Sequence, residues 1–300
     1  MTFDKRDAAS SLPILNRRSL CVGAAAGATL LKLNLPLRAE QKTLRFGVGP
    51  TLPSPTDTQK LWDPLFKHIA AQAGTAYTLS ATTDWAGIYV ALASGQLDIA
   101  YLGSWGYTLA KRQAKIAPLA AVKLKGSPSY RAIVVARKGL EQARWPEDAR
   151  NMQVSFADKG STTGWLIPYY WLVQKGIDPK TYFKYRDGAT HAANEVAVAN
   201  SQVDFATDYD YHRELMIGKG TIKPEDSNVV WQSDPIPYSL IVARADVDPA
   251  IISRVKEALL ALTDEQAKQL MPPGMTGFAP TQDSNYDIYE KAGTALGLLK

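Results

Sequence analysis

The chain is poor in the residues from which reactive sites are most often built. Its 300 residues include one cysteine, Cys21, and three histidines, His68, His191 and His212. Cys21 falls in the N-terminal leader, so a chain cut after it has no disulfide, no thiolate metal site and no cysteine nucleophile. The histidines lack metal-ligand spacing, which argues against zinc. No G-x-S-x-G, H-E-x-x-H or G-x-G-x-x-G motif occurs. These gaps argue against an enzyme and against a bound cofactor or metal. No apolar run reaches the ~20 residues that a bilayer span needs.

Net charge is scarce as well. The formal charge is +5, but residues 1–39 hold six Lys/Arg and two acids. Four of the five charges therefore sit in the leader, and a nearly neutral body offers no electrostatic footprint for nucleic acid. What is present, 46% hydrophobic and 21% charged residues, is ordinary globular composition. It excludes a disordered chain and a small disulfide scaffold.

The leader reads as an export signal over 1–39, with a disordered basic tail as the alternative. Asn16-Arg17-Arg18-Ser19-Leu20 is a twin-arginine stretch, and a weakly apolar run follows from Leu20 to Leu31. Leu37-Arg38-Ala39 can precede a cleavage point. Low hydrophobicity and paired arginines favour a Tat-like route, although Asn16 replaces the usual Ser or Thr. Cys21 does not sit in a lipoprotein box. The expectation is a soluble periplasmic protein.

Beyond the leader, short apolar strands alternate with helical segments, which predicts an α/β fold. Strands are expected at 43–48, 77–82, 97–101, 130–137, 153–157, 182–186, 203–206 and 239–244. Helices are expected over 58–73, 85–94, from Ser104, over 163–175, 192–200, 249–262 and from about Asp283 to Leu296. Tyr130–Arg137 and Ser239–Arg244 echo each other, Y-R-A-I-V-V-A-R against S-L-I-V-A-R. They are expected to mark two crossings, near 131–137 and 238–244. The first lobe would then comprise 40–130 and 245–300, and the second 138–237.

Three helix starts follow strand ends. Gly160-Ser161-Thr162-Thr163-Gly164 offers unpaired amides, hydroxyls and the positive end of a helix dipole, a cradle for an oxyanion. Alone it would pass as an ordinary cap. Gly103-Ser104 and Asp84-Trp85 occupy like positions, and ligands of open α/β sheets bind at that edge. No G-K-[ST] follows the glycine-containing loop, which excludes a nucleotide phosphate loop. His191 can donate to an anion or be structural; His68 and His212 read as structural. Asp208 reads as an acceptor for a ligand O–H or N–H, or as a loop residue. It forms no pair with Asp210, because i and i+2 face opposite sides of a strand.

These stretches occur in a recognisable order. Asp84-Trp85-Ala86-Gly87, Ile99-Ala100-Tyr101-Leu102-Gly103, Gly126-Ser127-Pro128-Ser129-Tyr130 and Ser161-Thr162-Thr163-Gly164 lead the series. His191 with Ala197-Val198-Ala199-Asn200, then Val203-Asp204-Phe205-Ala206-Thr207 and Ser233-Asp234-Pro235-Ile236-Pro237, complete it. The set resembles the periplasmic phosphonate- and phosphite-binding proteins of ABC transporters. The resemblance implies the type II periplasmic binding protein fold, two α/β lobes joined by a two-strand hinge around an oxyanion. It implies roles for Ser161, Thr162 and Thr163 in holding the oxyanion, with His191 and Tyr130 as side-chain donors. Trp85 stands where aminophosphonate binders have Tyr.

The acids with which those relatives hold an amine align with Tyr211 and Ser239, neither charged at pH 7. A buried unpaired ammonium costs several kcal/mol. The expected ligand is therefore phosphite, methylphosphonate or a similar small tetrahedral oxyanion without an amine. The expected partner is an ABC permease. The alternative is a sensor of the same fold docking on a membrane histidine kinase, although the lost thiol disfavours the arsenite chemistry of some relatives.

Overall fold

Alternation buries Leu44, Phe46 and Val48 of β1 (Thr43–Val48) while Thr43 and Arg45 face out. In this computed structural model, which describes residues 42–299, β1 leads into α1 (Pro55–Ala73). Ser54 caps that helix through the Asp57 N–H, and Gly74, left-handed at φ 69°, ends it. Its buried stripe Trp62, Leu65, Phe66, Ile69 and Ala73 covers one sheet face. There follow β2 (Ala76–Ala81), α2 (Trp85–Ala93), β3 (Ile99–Leu102), α3 (Ser104–Gln113) and β4 (Ile116–Leu124). The export signal, the twin arginines and Cys21 lie outside the described residues.

After the short β5 (Ser129–Tyr130), the second series runs through β6 (Ala132–Arg137), β7 (Gln153–Ala157), a π-type turn Thr162–Leu166 and α4 (Ile167–Gln174). It continues with α5 (Pro179–Tyr182), β8 (Lys184–Ala189), α6 (His191–Ala199), β9 (Phe205–Tyr209), α7 (Asp210–Gly218) and β10 (Ser227–Gln232). The chain returns by β11 (Ile236–Pro237) to β12 (Leu240–Arg244), α8 (Pro249–Leu260), α9 (Asp264–Leu270), β13 (Met275–Ala279) and α10 (Asp287–Ala295).

Two mixed sheets result. One has the order β2-β1-β3-β12-β4-β13, the other β8-β7-β9-β6-β10. Each opens with a parallel trio whose first strand lies in the middle. An antiparallel strand then closes each trio, β12 against β3 and β6 against β9. Strand order reverses at β1 and at β7, the points where α/β sheets leave a crevice for ligands.

The echoing strands expected as crossings lie inside the sheets: β6 in the second, β12 in the first. The chain passes between sheets just before each of them. There β5 and β11 pair antiparallel, Tyr130 opposite Ile236. Seven elements escaped the periodicity argument: β4, α5, α7, β10, β11, α9 and β13. β4 carries Pro118, which cannot donate to a ladder. It is accommodated at a register shift, where Ile241 pairs Ala120 but Val242 pairs Pro118.

Candidate functional site

β7 delivers the chain at Ala157 to a tight loop in which the Asp158 carboxylate accepts the Gly160 N–H at 3.0 Å. Ser161 then caps the following helix, accepting the Gly164 N–H at 3.1 Å. Thr162 and Thr163 occupy the first turn, where amides have no intrahelical acceptor. All three hydroxyl residues are at most 3% exposed. Gly164 must be glycine, because a Cβ there would stand 2.3 Å from the Ala157 Cβ and 2.8 Å from His191 Cε1. The turn is braced from behind. The Thr207 hydroxyl donates to the Gly164 carbonyl at 2.5 Å, and Asn194, wholly buried, ties Ser155 Oγ to the Thr207 carbonyl.

His191 begins α6, after the Thr190 cap. Its Nε2 lies 2.9 Å from Ser161 Oγ and its Nδ1 2.8 Å from Asp208 Oδ1. This contact is an ion-pair approach without full hydrogen-bond geometry, and the buried Glu195 carboxyl also reaches Asp208. Asp208, wholly buried on β9, also takes His212 Nδ1 on its other oxygen at 2.7 Å. Burial pushes the Asp208 carboxyl up, but His212 and His191 outweigh it and hold it well below the usual carboxylate range. Behind lies Glu195, pushed well above its ordinary range by burial and then by the Asp208 charge, with Arg213 only partly offsetting this.

The first lobe contributes α2 and α3. Asp84 caps α2 through the Gly87 N–H at 2.6 Å and leaves Trp85 at its first position. Gly103 begins α3 with no side-chain cap of its own. The acceptor comes from the other lobe: Thr162 Oγ1 takes the Trp105 N–H at 2.9 Å. Trp105 Nε1 donates to the Lys159 carbonyl at 3.0 Å, and the Trp85 N–H donates to the Asp158 carboxylate. Burial pushes Asp158 up against that bond and the one from Gly160. Gly160 passes so close to this lobe that a Cβ would meet Ala86 N at 2.6 Å. The lobes are thus shut, with helix starts of one capped by the other.

Between them lies a small cavity lined by Trp85, Tyr101, Gly103, Tyr130, Ser161, Thr162, Thr163, His191, Tyr209, Tyr238 and Ser239. Among the described residues lining it, none is an Asp, Glu, Lys or Arg. Tyr130 and Tyr238 meet edge-on at 4.7 Å between ring centres, and Tyr130 and Tyr209 at 5.6 Å. Burial pushes the Tyr130 phenol up against its hydrogen bond with Thr162.

Of the residues singled out in sequence, Trp85, Gly103, Tyr130, Ser161, Thr162, Thr163 and His191 come together here. Ser104 does not. Its hydroxyl turns away and donates to the Tyr238 carbonyl at 2.9 Å, tying α3 to the returning crossing. Asp208 does not reach the cavity either, since both its oxygens face histidines. Tyr211 also lies elsewhere, beneath Gly274 and 5.2 Å from Lys125 Nζ, and Tyr209 takes the lining position. The residues missed, Tyr101, Tyr209 and Tyr238, end strands or sit on a crossing.

A model of the family described as "ABC transporter, phosphonate, periplasmic substrate-binding protein" matches residues 46–286. The chain belongs to this family. It is 27% identical over 256 residues to the phosphate-import protein PhnD of Mycolicibacterium smegmatis, covering 77% of this chain and 79% of that one. It is 27% identical over 263 residues to the phosphonates-binding periplasmic protein of Escherichia coli, covering 85% and 78%. Two solved structures share the fold. A binding component of an ABC phosphonate transporter from Pseudomonas aeruginosa has TM-score 0.75 at 24% identity, over 85% of this chain and 89% of that one. PhnD1 of Prochlorococcus marinus, solved with methylphosphonate, has TM-score 0.76 at 18% identity, over 86% and 99%.

Family membership makes the protein a phosphonate-type substrate-binding component of an ABC transporter rather than an enzyme. No helix among the described residues is long and apolar enough to cross a membrane. The Ser161–His191–Asp208 series has the connectivity of a hydrolase triad, with Ser161 and His191 lining the cavity and Asp208 buried behind them.

Proposed function

We propose that the cavity binds one compact tetrahedral oxyanion without an amine, phosphite or methylphosphonate in kind. The protein would carry it in the periplasm, after removal of residues 1–39, to an ABC permease. The observation that carries this reading is the lining itself: amide and hydroxyl donors with His191, aromatic rings, and no carboxylate. An anion gains the helix-start amides of the Ser161–Thr163 turn. An ammonium finds no counter-charge, a deficit of several kcal/mol. The Trp85 ring suits a P–H or P–CH3 face better than a fourth charged oxygen, which sets phosphate behind both ligands. The ligands named for relatives, phosphate, phosphonates and methylphosphonate, belong to the same chemical class.

Titration calorimetry on the mature protein tests this with phosphite, methylphosphonate, phosphate, sulfate and 2-aminoethylphosphonate. The first two are expected to bind most tightly and the aminophosphonate at least about a hundredfold more weakly, following from ~3 kcal/mol of uncompensated charge. Tightest binding of the aminophosphonate overturns the reading.

A further inference from the structure

We infer that anion binding is coupled to the uptake of one proton by His191, which turns Ser161 from a donor to the imidazole into a donor to the ligand. This rests on the function proposed above. The hydrogens around one oxygen, Ser161 Oγ, decide it. Ser161 Oγ has one proton and two lone pairs. One lone pair accepts the Gly164 N–H, and His191 Nε2 stands 2.9 Å away. If Nε2 is bare, it takes the serine proton. The remaining lone pair then faces the cavity, where an oxyanion is repelled. If Nε2 carries a proton, Ser161 accepts from both neighbours and its own proton is free for the anion.

The other ring nitrogen allows no escape by tautomer exchange. A bare Nδ1 would set its lone pair 2.8 Å from the Asp208 carboxylate, so Nδ1 keeps its hydrogen. Only the neutral Nδ1–H form and the imidazolium remain. The proton comes from solvent and ends on Nε2.

The surroundings favour the imidazolium once an anion is present. From β9, Asp208 supplies the countercharge to His191, and Tyr209 packs edge-on at 5.1 Å. From α7, His212 shares Asp208, and Arg213 faces Glu195 rather than the ring. From α6 itself comes Glu195, kept from competing as a second carboxylate by burial and by Asp208. From the loop after β7 comes Asp158, whose charge acts on the ring through space.

The test is nitrogen NMR of the ¹⁵N-histidine-labelled mature protein at about pH 8, where an ordinary imidazole is neutral. Methylphosphonate and phosphite serve as probes. Saturation is expected to move His191 Nε2 from the bare-nitrogen to the N–H region. A second variant keeps the inference open to refutation. His191→Gln offers an N–H to Ser161 that does not titrate. Between about pH 7 and 9, wild-type Kd is expected to rise up to about tenfold per pH unit more steeply than that of His191→Gln, which cancels the ligand's own titration. Binding with Nε2 bare, with Nε2 already protonated in the free protein, or with equal pH slopes overturns this inference alone. No binding of either probe overturns the proposed function and this inference with it.

Discussion

Gly160 offers the cleanest way to separate lobe closure from ligand contact. It lines no part of the cavity, yet a Cβ on it would lie 2.6 Å from Ala86 N, 2.7 Å from the Trp85 carbonyl carbon and 3.0 Å from Ala86 Cα. All three are backbone atoms at the start of α2, fixed by the Asp84 cap, so no side chain can swing aside. Relief to ordinary contact near 3.4 Å requires most of an ångström of separation between lobes. Overpacking of this kind costs about 1–3 kcal/mol. The cost falls only on the shut form, because the contact joins different lobes. Gly160→Ala is therefore expected to weaken methylphosphonate binding by about 5- to 150-fold, since 1.4 kcal/mol is a factor of ten. The ligand-free melting temperature should change little, and the ligand-induced rise in Tm should shrink in proportion. Calorimetry gives the first quantity and thermal denaturation the others. An unchanged Kd in the folded variant would refute the argument that these backbones meet in the bound state.

Three other substitutions probe the cradle and its support. Ser161→Ala removes both a helix cap and a donor. Kd should rise by tenfold or more and Tm fall by a few degrees, the cap being worth about 0.5–2 kcal/mol, whereas unaltered binding removes Ser161 from the site. Asn194→Ala strands the Ser155 hydroxyl and the Thr207 carbonyl in the core, so Tm should drop by roughly 5–15 °C for ~2–4 kcal/mol; a near-neutral result would show the brace to be idle. Glu195 has a raised folded pKa, so its contribution to stability is complete below its ordinary 4.5 and is lost as pH rises through the folded value. Glu195→Gln, shaped like the protonated acid, should match wild type near pH 4 and exceed it in Tm near pH 8. Equal destabilisation at both pH values contradicts that sign.

The sequence made the Ser161–Thr163 cradle legible because caps are local: a hydroxyl after a strand and before an apolar helix has few other uses. The same rule, applied to strand ends, points to Tyr101, next to last in β3, and to Tyr209, last in β9. Residue type alone does not single them out, because the other tyrosines also pack in or against the core. Asp208 is illegible for a different reason. Alternation along β9 fixes that Asp208 and Tyr209 face opposite sides, but not which side the cavity takes. That depends on α6 and α7 bringing His191 and His212 to one carboxylate, contacts outside any local window.

The closure contacts are the least legible of all, and they show what kind of information a single pass along the chain omits. Gly103 is a poor cap, since it has no side chain to meet the first amides of α3. Read locally, that is a weak helix start. Read with Thr162, 57 residues beyond Trp105, it is a vacancy filled at 2.9 Å by the facing lobe. A helix capped by its own serine would gain nothing from closing. One capped only when the lobes meet places the free energy of its missing hydrogen bond, about 0.5–1.5 kcal/mol, in the shut form. At α2, whose start Asp84 already caps, the Trp85 N–H on Asp158 adds a further acceptor from the facing lobe. An incomplete cap is therefore a signal in its own right: a helix start that lacks an acceptor, at a strand end facing a cleft, marks where the other lobe lands.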